Sequence, residues 1–311
     1  MFKNMHYLVY VESPYQLENA IDFIHKGNED KSAIFIVRDN GNLKQIEQFK
    51  FLVKKKCIEN VYYIKFESSG LVRYLTYPWL MLLLFKYLIM SKALIVGDAR
   101  SIVVKPLAKL AELINRNVIL VDDGLYLFNY VYQILDKNYI LYTSLPIAER
   151  ISNKKSFLQV ITQSHEQFNI PVVGEESISF IGMKLPEIGF MEESVYINYV
   201  KCIAGRYSHL KLNYYAHREE SISKLDQVAL LGFNIVKPNI SIEDYFLEKG
   251  GDKGVYISFY STALANLSKL ISTEEFYYIK PDIEQFPSPN RKAIIECYEY
   301  LSLLKIKECK I

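Results

Sequence analysis

Four groups of residues in this chain carry types and spacings that could do chemistry. The first is His217-Arg218-Glu219-Glu220, which follows Leu210-Lys211-Leu212-Asn213-Tyr214-Tyr215. The alternation of Leu210, Leu212 and Tyr214 with polar neighbours has the period of a strand. A histidine and an arginine just past a strand's carboxyl end suit an anionic ligand, because both can donate charge-assisted hydrogen bonds. The second group is Ser261-Thr262, set between the strand Gly254–Tyr260 and an apolar helix pattern. Either residue could cap that helix, where free N–H groups and the helix dipole attract phosphate. The third is Asp122-Asp123-Gly124 after the apolar run Asn117–Val121. Paired carboxylates at a strand end suit a general base, although Asp-Gly is also a common turn dipeptide. The fourth is Ser13-Pro14-Tyr15-Gln16 after the strand His6–Val11. Ser13 can cap a helix with Pro14 at its first position.

These groups must be positioned by elements that the periodicity predicts. Strands are expected at 6–11, 33–37, 61–66, 93–98, 117–121, 178–182, 210–215, 233–236, 254–260 and 275–279. Helices are expected from Pro14 to Ile24 and at 43–56, 102–115, 192–204, 221–231, 242–247 and 291–305. Strands alternating with helices imply βαβ units and parallel sheets. Residues 125–170 show no clean period. The stretch 151–164 is read as a bridge between two halves, and Pro171–Gly174 as the boundary. Leu71–Met90 is the most apolar segment. A span needs about 20 apolar residues, and Arg73, Pro78 and Lys86 interrupt this one. It is therefore expected to be a core, dimer-interface or membrane-surface helix.

Composition narrows the class. The chain has 311 residues, half of them hydrophobic, which is enough for one large or two medium domains. The net charge of +2 argues against bulk-charge binding to nucleic acid. Cys57, Cys202, Cys297 and Cys309 form no C-x-x-C pair, so free thiols in a reducing cytosol are expected rather than a metal site or disulfide framework. The N-terminus enters a strand directly, with no secretory signal expected.

Three segments taken together resemble bacterial sialyltransferases of the lipooligosaccharide α-2,3, capsular and polysialyl group. Tyr215-Ala216-His217-Arg218-Glu219 resembles their His-Pro-Arg element, with Arg218 where proline is usual. Lys237-Pro238-Asn239-Ile240-Ser241-Ile242-Glu243-Asp244-Tyr245 resembles their Pro…Ile-Glu-Asp-Tyr segment, and Ser258–Leu264 their Ser-rich turn. The Asp-Asp-Gly triplet and Ser13–Leu17 resemble further pieces of the same group. The resemblance covers residues 180–267 best.

The resemblance implies a GT-B α/β fold, with two Rossmann-like domains facing a central cleft. Residues 1–170 would be the acceptor side. Residues 171–311 would bind the CMP donor, with the closing helix able to pack back on the first domain. It implies inverting transfer of sialic acid, or a related nonulosonic acid, from CMP to a hydroxyl of a bacterial surface glycan. No metal or other cofactor is expected. By the same resemblance, His217 would donate to the leaving phosphate. Gly182, Arg218, Lys237, Pro238, Glu243, Ser261 and Thr262 would line the donor, with Glu243 on the ribose. Ser13, Pro14, Tyr15, Gln16 and Asp123 would lie on the acceptor side. The base would be Glu187, in the loop 181–187, or Asp122. Expected partners are the donor and a glycan acceptor, with a homodimer and a peripheral inner-membrane contact both open for an otherwise cytoplasmic protein. Another nucleotide-sugar transferase and a non-catalytic polysaccharide-assembly protein are the alternative readings.

Overall fold

Unbroken apolar strands mark sheets that are covered on both faces. The computed structural model describes residues 5–27, 32–66, 71–163, 169–271 and 274–311, with the backbone alone of 71–73 and 75. Its chain divides into two units, Met1–His165 and Glu166–Ile311. In the first, the order is β1 (Met5–Val11), α1 (Pro14–Lys26), β2 (Ala33–Asp39), α2 (Leu43–Lys55), β3 (Val61–Lys65), α3 (Leu71–Met90), β4 (Ser91–Val96), α4 (Val104–Leu113), β5 (Asn117–Val121), β6 (Ile140–Thr143), α5 (Ile147–Ile151) and β7 (Gln159–Thr162). All pair in parallel, in the order β3-β2-β1-β4-β5-β6-β7. Val9 and Val11 of β1, Ile95 of β4 and Val121 of β5 meet Leu17, Ala20 and Ile21 of α1 in the core.

The second unit runs β8 (Val172–Ile181), α6 (Glu193–Arg206), β9 (Lys211–Tyr215), α7 (Ile222–Leu230), β10 (Asn234–Val236), α8 (Ile242–Lys249), β11 (Gly251–Ser258), α9 (Thr262–Leu270), β12 (Glu275–Tyr278), α10 (Arg291–Leu303) and β13 (Lys307–Glu308). These strands are also parallel, in the order β10-β9-β8-β11-β12-β13. Phe180, Tyr196, Tyr214 and Phe259 pack as one aromatic cluster at its centre, with Phe180 and Tyr214 stacked at 5.2 Å.

In each sheet the strand order reverses once, between β1 and β4 and between β8 and β11. Loops diverge at such a point, which makes the crevice where open α/β sheets bind ligands. The loops concerned are 12–13 with 97–101, and 182–187 with 259–262.

Three stretches differ from expectation. Residues 125–170 hold β6, α5 and β7, so the expected bridge includes an edge strand. Pairing defines these strands, β6 against β5 and β7 against β6. β8 starts six residues earlier than expected, because Val172 and Val173 pair with Gly251 and Asp252 before an irregularity at Asp252/Gly254. There Gly254 has φ +122 and a Cβ would lie 2.4 Å from the Ser177 carbonyl oxygen, so only glycine fits. The two-residue β13 completes the second sheet by pairing with β12.

Candidate functional site

In the second unit, three separated segments reach the carboxyl edge on adjacent strands β9, β8 and β11. His217 follows β9 and is half-buried. The Glu219 backbone N–H donates to its Nδ1 at 3.2 Å. Because Nδ1 accepts, the ring proton sits on Nε2. Burial, with Arg218, Lys184 and Lys224 nearby, holds the ring well below its usual pKa, so it is a neutral donor. Lys184 is paired with Glu219 at 2.6 Å, and Arg218 lies 3.6 Å from the same carboxylate.

The loop is held from beneath. Glu220 Oε2 accepts the His217 backbone N–H at 2.6 Å, and its Oε1 accepts the Tyr214 hydroxyl at 2.6 Å. The Tyr214 and Tyr196 hydroxyls share a bond of 2.8 Å, and Tyr196 accepts the Met183 N–H at 3.1 Å. Gly182 passes directly over this group: a Cβ there would lie 2.6 Å from Glu220 Oε2 and 2.8 Å from the Tyr214 ring. Lys224 of α7 has no exposed surface. It donates to Glu220, Glu187 and the Met183 carbonyl, each at 2.9 Å, and lies 4.4 Å from the centre of the Tyr196 ring. Glu187 thus spends one oxygen on Lys224 and the other on the Ser221 N–H at 2.9 Å, at the start of α7.

Ser261 caps α9, its Oγ accepting from the Leu264 N–H at 3.4 Å, and Thr262 is the first residue of that helix. Ser258 is buried and donates to the Ile181 carbonyl at 2.7 Å, tying β11 to the end of β8. Glu243 lies in the first turn of α8, where burial raises its pKa and Asn266 of α9 donates to it at 2.8 Å. Lys237 is exposed and Pro238 half-buried in the loop after β10.

The first unit builds its own carboxyl-edge cluster. Ser13 caps α1 by accepting the Gln16 N–H at 3.2 Å, Pro14 is the first helical residue, and Tyr15 is half-buried beside it. The Gln16 side chain accepts from the Glu12 N–H at 2.9 Å and donates to Asp123 Oδ1 at 2.8 Å. It can cross there because residue 97 is glycine; a Cβ would lie 2.0 Å from Gln16 Cδ. Asp122 and Asp123 have different surroundings. Asp122 is fully buried and accepts from the Gly124 N–H (2.6 Å), the Thr143 hydroxyl (2.7 Å) and the Ser144 N–H (3.0 Å), which ties β5 to β6. Asp123 is half-buried, and burial, reinforced by the charge of Asp98, pushes its pKa up to about 7. The Gln16 bond works against that rise.

Sequence reasoning missed several members of these clusters. Asp98 grips Arg100 through two side-chain bonds of 3.0 and 2.7 Å, and that guanidinium lies 4.1 Å from the Tyr126 ring centre and 4.8 Å from that of Tyr130. Glu12 binds Arg38 at 3.2 Å and the Ser101 hydroxyl at 2.7 Å. The Gly97-Asp98 end of a strand was a signal for the first of these. A lysine at 224, inside an amphipathic helix, carried none.

No protein-family model and no curated protein matches the chain. Solved structures do match it over nearly its whole length. It is 11% identical to the UDP-GlcNAc 2-epimerase of Methanocaldococcus jannaschii solved with UDP-GlcNAc and UDP, at a TM-score of 0.59, covering 96% of this chain and 92% of that one. It is 10% identical to the GT-B domain of a Photobacterium damselae sialyltransferase, at a TM-score of 0.52, covering 98% and 100%. It is 11% identical to Acinetobacter baumannii MurG, at a TM-score of 0.50, covering 98% and 85%. The fold is therefore GT-B, with two Rossmann-like parallel-sheet units.

Proposed function

We propose that this chain is a glycosyltransferase that moves sialic acid, or a related nonulosonic acid, from a CMP-activated donor to a glycan hydroxyl with inversion. The supporting observation is the convergence of segments 182–187, 215–220 and 258–262 on adjacent strand ends of one sheet, around a neutral histidine whose Nε2 carries the proton. In this reading the anomeric carbon–oxygen bond to CMP breaks, and its electrons pass to the phosphate. His217 Nε2–H donates to that phosphate, and the α9 N-terminus with Ser261 and Thr262 adds further donors. Glu243 holds the ribose, and Gly182, Arg218, Lys237 and Pro238 complete the nucleotide side.

The acceptor hydroxyl must lose a proton as its oxygen attacks. We assign that step to Asp123. A pKa of about 7 matches a general base working near neutrality, whereas Asp122 and Glu187 are each committed to holding a loop. Ser13, Pro14, Tyr15 and Gln16 then border the acceptor, with Gln16 orienting the base. A nucleotide-hexose donor is the second reading, favoured by the likeness to a protein solved with UDP-GlcNAc and UDP.

Thermal unfolding with CMP, UDP and GDP separates the two readings. CMP at a hundredfold excess over its Kd should add about 2.7 kcal/mol of stability. A melting temperature moved by UDP and not by CMP would reject the sialyltransferase reading.

A further inference from the structure

The helix α3 buries one apolar stripe and exposes another that is largely apolar. Leu80, Leu84 and Leu88 are buried, whereas Tyr74 is 72% exposed, Trp79 76%, Leu82 62% and Ile89 50%. Pro78 is exposed on the same side. Ordinary soluble helices place charge on the outward face. The patch continues onto the edge strand β3, where Tyr62, itself exposed, lies with its ring 6.3 Å from that of Tyr87.

Charge decides what covers this face. From Leu71 to Met90 there is no acidic residue. Exposed Lys86 stands on the helix, exposed Lys92 follows it, and Arg116 donates to the Ile89 carbonyl at 3.3 Å at its C-terminal end. The neighbouring α4 shows exposed Lys105 and Lys109. A largely apolar strip bearing Trp and Tyr, with Lys86 on it and exposed Lys92, Lys105 and Lys109 against a single exposed acid, Glu112, on the segments that follow, matches the boundary of an anionic bilayer, where aromatic rings sit at headgroup depth. Among the described residues no helix is long and apolar enough to cross a membrane.

We propose that the outward face of α3 docks on an anionic lipid surface, lying in its headgroup boundary with Trp79 and Leu82 inserted. This is independent of the donor assignment. Trp79 is the chain's single tryptophan, so intrinsic fluorescence reads its surroundings directly. Vesicles of phosphatidylglycerol and phosphatidylethanolamine should shift its emission to the blue, and acyl-brominated lipid should quench it. Affinity should fall at least tenfold between 0.1 and 1 M salt and at least tenfold in Leu82→Glu or Lys86→Glu. Both side chains are exposed, so the melting temperature should not change; if Leu82→Glu does lower it, Lys86→Glu carries the same comparison. Emission unmoved by the vesicles overturns the proposal. So does emission already blue without lipid that reverts on dilution together with a dimer in sedimentation, since a second copy would then cover the face.

Discussion

Asp122 and Asp123 are adjacent and burial raises the pKa of both, yet only Asp123 keeps exposed surface, with a pKa of about 7. If it is the base, kcat/KM should rise with pH through about 7, as its carboxylate forms. His217 should add no limb to that profile, because it stays neutral. Gln16→Leu removes a donor that favours the charged form, so the rising limb should move above pH 7. The same carboxyl has an opposite signature in stability. Its folded pKa lies above the unfolded carboxylate value of about 3.9, so the native state holds more protons than the unfolded state between the two. Its contribution to stability therefore falls as pH rises from about 4 to about 7, by at most ~1.4 kcal/mol per pH unit. Asp123→Asn should lose turnover yet gain melting temperature over wild type, more at pH 8 than at pH 5. A variant with normal turnover would exclude Asp123 as the base. His217→Ala should lower kcat by roughly 10²–10³ while barely moving stability, since a donor to a leaving phosphate acts mainly on the transition state.

At the scale of elements, α7 is the part that holds the His217 loop. One buried cation, Lys224, joins the loops after β8 and β9 to the helix through Glu187, Glu220 and the Met183 carbonyl. Lys224→Met would leave two carboxylates beside an apolar side chain. Breaking a buried pair in this way costs about 3–5 kcal/mol, measurable by urea unfolding. Burial already raises the Glu220 pKa and Lys224 opposes that rise. Without the lysine, Glu220 should protonate more readily, and the stability deficit should shrink as pH falls toward 5. A deficit independent of pH would mean that Glu220 stays charged without its partner.

At the scale of the molecule, each unit carries its own cluster at its own strand-order reversal. The proposed roles divide in the same way. Asp123→Asn, in the first unit, should leave the CMP-induced rise in melting temperature unchanged. His217→Ala and Ser261→Ala, in the second, should reduce it, Ser261→Ala the less because the α9 N–H groups remain. Loss of the CMP effect in Asp123→Asn would show that this carboxylate serves the nucleotide instead.

Local patterns were enough for much of this architecture. Apolar runs bounded by caps specify strands and helices from neighbouring residues alone, so Ser13, Ser221 and Ser261 were legible as helix starts and confirmed as caps by their bonds. β6, β7 and β13 were not legible in the local pattern, and their partners in the sheet define them. The availability of a carboxylate depends on partners far along the chain. Asp122 is occupied by Thr143 and Ser144 of the next strand end, and Glu187 by a lysine 37 residues later. Asp123 owes its raised pKa to burial and to Asp98 on the adjacent strand end. The sequence therefore determined which residue types stand at the strand ends. Only the tertiary structure decided which of them are held, because desolvation and pairing are set by what folds against a group rather than by its neighbours in the chain.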